Sequence, residues 1–208
     1  MAKINLFFQY SLNFVIKIIF YHYKTFYFAE KLSLKMSLYQ KPLAGEYPPY
    51  AETYIQHINN DNILDVLQER IKIVKQIYNQ IDEQKANFRY APEKWSIKEV
   101  LLHVVDTERI FAYRAISIAR GDTRSLMGFD QDTFVQHSLA DKRTLSSIIE
   151  EFEAIRISNI SLFKNIDASA LNLKGNANGY DVTPLAIAFM LAGHEIHHTK
   201  IILERYLV

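Results

Sequence analysis

Apolar residues recur at steps of three and four in four separate stretches of this chain, each about twenty residues long, which is the period of an α-helix. No long run of alternating polar and apolar residues competes with that pattern. The first stretch runs from about Asp61 to Asp82, with Ile63, Leu64, Leu67, Ile71, Val74, Ile77, Tyr78 and Ile81 at helical spacing. The second opens at Ser96 and stops at Gly121. Ser96 followed by Glu99 is a capping box, in which each side chain satisfies a free backbone donor at the helix start, and a glycine is a common helix terminator. The third runs from about Arg143 to Ile166. The fourth follows Thr183, a helix cap, with Pro184 at the first helical position, where a missing N–H costs nothing. With only six glycines and five prolines in 208 residues, these stretches predict an all-α protein, an up-down or crossover four-helix bundle. The connections are read as an extended arm over residues 37–52, a link from Asn87 to Lys94, a loop from Asp122 to Asp141, and a Gly/Asn-rich loop around Gly175 to Gly179.

The fourth helix carries the most informative polar residues. His194 and His198 are four apart, one above the other on one helical face. They interrupt an expected core-facing stripe of Ile187, Leu191, His194, His198, Ile201 and Arg205. Two neutral imidazoles so placed can bind one divalent ion. The bland alternative is a pair of hydrogen-bonded packing histidines. Bundles build metal sites from facing helices, and of the remaining histidines only His103 lies inside another predicted helix. His57 and His137 fall outside the long helices, His22 lies near the N-terminus, and His197 points about 100° away from the stripe. His103, His194 and His198 would form a three-nitrogen site with an open fourth position, the mark of a catalytic metal. The same segment satisfies H-E-x-x-H, a zinc-protease pattern with Glu195 as general base. That fold needs a sheet edge for its substrate, and no strands are predicted.

Composition narrows the chemistry. The chain has no cysteine, so disulfides, thiolate ligands and a protein-borne thiol nucleophile are excluded, and any metal is held by nitrogen and oxygen. A net charge of +1 gives no electrostatic case for nucleic acid as a partner. Residues 1–35 differ from the rest. Leu6 to Phe28 is rich in aromatic residues but is interrupted by Lys17, His22 and Lys24, which leaves too short an apolar run for a membrane span. The change at Met36 is read as a start of translation there, with residues 1–35 an extension and 36–208 the folded domain. A membrane anchor is the competing reading.

Three blocks make the chain familiar: His103-Val104-Val105-Asp106-Thr107-Glu108-Arg109, Gly128-Phe129-Asp130-Gln131-Asp132, and Gly193-His194-Glu195-Ile196-His197-His198. Together with the Asn178-Gly179 connection and Thr183, they resemble the DinB/YfiT-like superfamily from about Tyr47 to Tyr206. Residues 1–35 have no counterpart in that pattern. The resemblance implies a four-helix bundle with a divalent metal, zinc or nickel, on His103, His194 and His198. It also implies a cytoplasmic homodimer acting on small molecules. Relatives include thiol S-transferases and thiol-dependent isomerases that use a low-molecular-weight thiol, and others described as metal-dependent hydrolases. Three functions stay open: a metal-dependent transferase using an external thiol on a small electrophile, a metal-dependent hydrolase, and a non-catalytic metal-binding bundle. Glu195 and Asp130 are the candidate acid–base residues. Against these roles stand a solvent-facing or supporting position for Glu195 and a turn-forming one for Asp130. Trp95 and Tyr113 are read as core or rim aromatics. Phe111 and Tyr113 are also expected to be spare apolar residues for a two-fold contact.

Overall fold

The computed structural model describes residues 39–59 and 62–208. The expectations for residues 1–35, and the boundary at Met36, lie outside the described residues. Four long helices form the body: α2 (Ile63–Tyr78), α4 (Ile97–Ala119), α6 (Leu145–Asn165) and α8 (Pro184–Ile201). Shorter helices connect or cover them: α1 (Glu52–Ile55), α3 (Glu83–Ala86), α5 (Gln131–His137) and α7 (Ala168–Leu171). Both α2 and α4 pack against α6 and α8. The consecutive long helices α2 and α4 therefore face each other across a diagonal, so the bundle is of the crossover kind. Among the described residues, no helix is long and apolar enough to cross a membrane.

The helix starts follow from local chemistry. Asn62 caps α2 by accepting from the Leu64 N–H at 3.2 Å. Ser96 and Glu99 form both bonds of the capping box at α4, at 2.6 and 3.2 Å. The Thr183 hydroxyl accepts from the Ala186 N–H at 3.1 Å, with Pro184 in the first turn. Each cap contributes about 1 kcal/mol and fixes where the helix begins.

Three expectations need correction. First, the Gly/Asn-rich segment is a β-hairpin, β1 (Gly175–Ala177) paired antiparallel with β2 (Tyr180–Val182), with Asn176 opposite Asp181. Its turn residues Asn178 and Gly179 have φ of 55° and 82°, the left-handed pair that a two-residue hairpin turn requires. Leu126 bridges to Ala177 from the preceding loop, and that loop itself contains α5. Second, α8 is not a one-sided amphipathic helix. Every residue from Pro184 to Glu195 is buried, because the helix is covered by α1, α2 and α4 at once, and a helix covered all round must be apolar all round. Third, the expected inward positions Ile201 and Arg205 give way to Ile202 and Tyr206. A π-turn over Ile202–Tyr206, closed by Leu207 N–H donating to the Ile202 carbonyl at 3.2 Å, inserts an extra residue into the turn. Arg205 is consequently exposed and Tyr206 buried.

From Tyr39 to Pro48 the arm has neither helix nor strand but bends at 44–47, and from Pro49 it is helical, a 3-10 turn and then α1, rather than extended to residue 52. Its Tyr39 hydroxyl donates to the Phe163 carbonyl at 3.2 Å. The Glu46 carbonyl accepts from the Thr183 N–H at 3.1 Å, which ties the arm to the start of α8.

Candidate metal centre

The capping box sets the start of α4 so that His103 stands two turns in, facing α8. The His103 ring is buried, as is His194, and His198 is half-buried. Gly193 is what lets α1 lie across α8 beside them. A Cβ there would stand 2.3 Å from the Tyr54 carbonyl oxygen. With that approach open, the Tyr54 ring reaches His194 and His197 edge-on, with centroids 5.3 and 5.4 Å away. Trp95, just before the cap, tilts over His103 at 4.9 Å. Phe111 lies 6.2 Å from His194 and is buried, so it is not the spare apolar residue the sequence offered, whereas Tyr113 is exposed.

The Nε2 atoms of His103 and His198 each lie 3.1 Å from His194 Nε2. Among the described residues, these three side chains are the group whose ligand atoms converge as a metal site requires. A ring nitrogen offers one hydrogen or one lone pair, so at most one of the two contacts is a good hydrogen bond. Protonation does not resolve the clash. Burial lowers the pKa of His103 to about 4 and that of His198 to about 3, with His103 and His197 adding to the effect on His198. His194 is held well below its ordinary value by burial and then by its histidine neighbours. All three are neutral at pH 7. Three neutral imidazoles turned toward one point are a donor set for a divalent cation, and a tetrahedral ion with ordinary Zn–N bonds would separate its nitrogens by about 3.3 Å. The residues fit the ion that the resemblance implies. His57 and His137 are elsewhere. His57 stacks on His197 at 6.4 Å, and His137 sits in α5, its Nδ1 2.8 Å from the Thr133 carbonyl oxygen.

The two acid–base candidates have other partners. Glu195 is 1% exposed, and both its oxygens are engaged: Arg70 donates to each at 2.8 Å, and the Thr199 hydroxyl donates to Oε1 at 2.7 Å. It is therefore not solvent-facing. It belongs to a buried ion network that continues through Arg156, 4.0 Å away, to Glu108 and Asn159. Asp130 is exposed and caps α5, accepting from the Thr133 N–H at 2.7 Å.

A cleft of about 250 Å³ opens beside His198. Trp95, Tyr206, Lys94, Glu93 and Asp132 are among its walls. The Tyr206 hydroxyl donates to the Trp95 carbonyl at 2.7 Å, which fixes the wall that leans on His103. Sequence reasoning missed this cleft. The available signal was that Lys94 and Trp95 directly precede the capping box of the helix that carries His103.

Comparison with known proteins agrees with this architecture. A family model described as the DinB superfamily matches residues 67–202. The chain belongs to the DinB superfamily. Among solved structures it is similar to YfiT from Bacillus subtilis, with a TM-score of 0.63 and 15% identity over 79% of this chain and 90% of that one. That protein is described as a probable metal-dependent hydrolase with an unusual four-helix bundle topology. At this identity the likeness is one of fold. No curated protein matches the chain.

Proposed function

We propose that this DinB-superfamily chain is a metal-dependent enzyme acting on a small molecule, with one divalent ion, zinc or nickel, on His103, His194 and His198. The supporting observation is the convergence of three neutral Nε2 atoms, two on buried rings and one on the half-buried ring of His198, beside a cleft that His198 helps to line. When bound, the ion would lower the pKa of a thiol or water in its open position and so supply a nucleophile at neutral pH. The chain's own residues do the rest. Burial keeps the imidazoles unprotonated, Trp95 and Phe111 shield the rings from water, and the narrow cleft selects for small substrates.

Because the chain has no cysteine, the thiol in our reading is an external one of low molecular weight, transferred to an electrophilic substrate. The fold shared with YfiT favours a second reading, hydrolysis, in which water takes the place of the thiol. We further propose a homodimer in the cytoplasm, with the exposed Tyr113 at the two-fold contact and no nucleic-acid partner.

Metal analysis of the purified protein tests the centre. About one ion per chain is expected, with most of it lost in His103→Ala, His194→Ala or His198→Ala and retained in His57→Ala and His137→Ala. Full retention in His103→Ala would refute the three-histidine centre. A panel of thiols with a chromogenic electrophile, run with and without chelator, then separates the chemistries. Conjugation that persists after metal removal rules out the transferase mechanism. Metal-dependent ester cleavage with no thiol activity selects the hydrolase.

A further inference from the structure

The Gly128-to-Asp132 block contributes no residue to the histidine cluster, yet Asp132 reaches the cleft beside it. Asp132 sits in the first turn of α5, whose register is set by the Asp130 cap. Lys94, from the link before α4, lines the same cleft. That link is anchored at its end by the Tyr206 hydroxyl on the Trp95 carbonyl and by the buried Ser96 cap. Lys94 and Asp132 are both exposed, and neither side chain makes a hydrogen bond or ion pair among the described residues. They are therefore not each other's partners, although they carry opposite charges on one small cleft. Many neighbouring charges are spoken for: Glu99 by Arg89, Lys98 by Glu83, and Arg109 by Asp106 and Glu151. One unpaired positive charge, Lys94, and two unpaired negative ones, Asp132 and Glu93, on a cleft that His198, Tyr90, Trp95 and Tyr206 also line, form a complement to a molecule that carries both charges itself.

We propose that the cleft recognises a small zwitterion, with Lys94 taking a carboxylate and Asp132 an ammonium group, so that the substrate or co-substrate is of amino-acid type. This rests on the metal-enzyme reading above, because His198 is what makes the cleft part of the site. The volume of about 250 Å³ suits a molecule of that size and lies just below the range of drug-sized pockets. Opposite charges at separate points also fix orientation, since a reversed ligand would place like charges together.

The test uses Co(II)-loaded protein, whose visible spectrum reports thiolate binding. Four thiols serve as probes: cysteine with both charges, 3-mercaptopropionate with the carboxylate, cysteamine with the ammonium, and 2-mercaptoethanol with neither. Each affinity is read as the ratio of variant to wild type, so the intrinsic acidity of each thiol cancels. Lys94→Gln is expected to weaken cysteine and 3-mercaptopropionate by about tenfold, roughly the effect of one lost ion pair of 1.4 kcal/mol, and to leave the other two unchanged. Asp132→Asn is expected to weaken cysteine and cysteamine and to leave 3-mercaptopropionate and 2-mercaptoethanol unchanged. Thiol binding that is indifferent to both substitutions, or that shifts equally for all four probes, overturns the inference and leaves the metal centre standing. Failure of the wild type to take up Co(II) overturns the metal reading, and the inference falls with it.

Discussion

His194 and Glu195 are consecutive residues of α8, yet the buried polar groups around them are built on opposite plans. On one side of the helix, Glu195 and Glu108 meet Arg70 and Arg156, two negative charges against two positive, with Thr199 and Asn159 taking further oxygens. The charges of that cluster balance among themselves, although Arg156 Nη1 is buried 4.0 Å from Glu195 with no hydrogen-bond partner among the described residues. On the other side, three histidines crowd together with no carboxylate among them, and His103 Nδ1 and the Thr107 hydroxyl, both buried, have no partner among the described residues. A polar group shut away from water is costly unless it is paired. The first region is organised to hold helices together. The second holds no such pairing of charges, and three neutral nitrogen donors converge there instead, so the two regions differ in the kind of polar group that each shuts away from water.

The comparison can be broken most forcefully at Arg156. Replacing it by Met leaves Glu108 with only the Asn159 amide in an interior where burial already pushes its pKa upward against the pull of Arg156. Removing one member of a buried ion pair typically costs about 3–5 kcal/mol. Urea denaturation of the metal-free protein should show a loss of that size. A loss under about 1 kcal/mol, the value of a surface pair, would mean the network is not structural.

A smaller effect should come from the histidine side as the pH falls. Because the folded-state pKa values of His103 and His198 are lowered, to about 4 and about 3, the unfolded chain takes up protons that the folded chain refuses once the pH drops below about 6.5. The stability these residues contribute is therefore complete above about pH 6.5 and lost as the pH falls toward their folded values. Each should account for about 2 kcal/mol of the loss between pH 7 and pH 5 in the metal-free protein. His103→Ala should flatten the measured stability profile by that amount, and an unchanged slope would contradict the burial of a neutral ring. The smallest effect is expected at Thr107. Thr107→Val keeps the shape and removes a hydroxyl that is buried without a partner, so stability in the absence of metal should be unchanged or raised by up to about 1 kcal/mol. A clear loss in the same urea assay would reveal a partner for that hydroxyl.

The same division explains what could be read in the sequence. The capping box at Ser96 and Glu99, the Thr183-Pro184 start and the His194/His198 pair are local relations, spanning three or four residues, and they stand in the structure as expected. The ion network joins residues 125 and 48 positions apart in the chain, and no local pattern announces a partner at that distance. Glu195 was therefore read from the helix period alone, which places it off the histidine face but does not reveal that α2 and α6 cover that side as well. The hairpin has three-residue strands, too short for alternation to register, although its Asn178-Gly179 turn was in plain view. The π-turn after Ile201 has no sequence signature of its own, and the inward stripe slips by one residue from Arg205 to Tyr206. Asp132 rather than Asp130 reaches the cleft, because the cap position of α5 fixes which of the two acids is spent on the backbone.

The crossover arrangement also has a consequence in time. His103 and His194 are 91 residues apart, and the helix carrying two of the three clustered histidines is the last of the four to be synthesised. At ordinary translation rates of about 5–20 residues per second, roughly 5–20 s separate the appearance of the first of these histidines from that of the second. Throughout that interval the faces of α2 and α4 that will cover α8 have nothing to close upon. The growing chain therefore gathers its three histidines and buries its central helix in one late event, and a ribosome that stalls before Pro184 releases a chain with neither the histidine cluster nor a closed core.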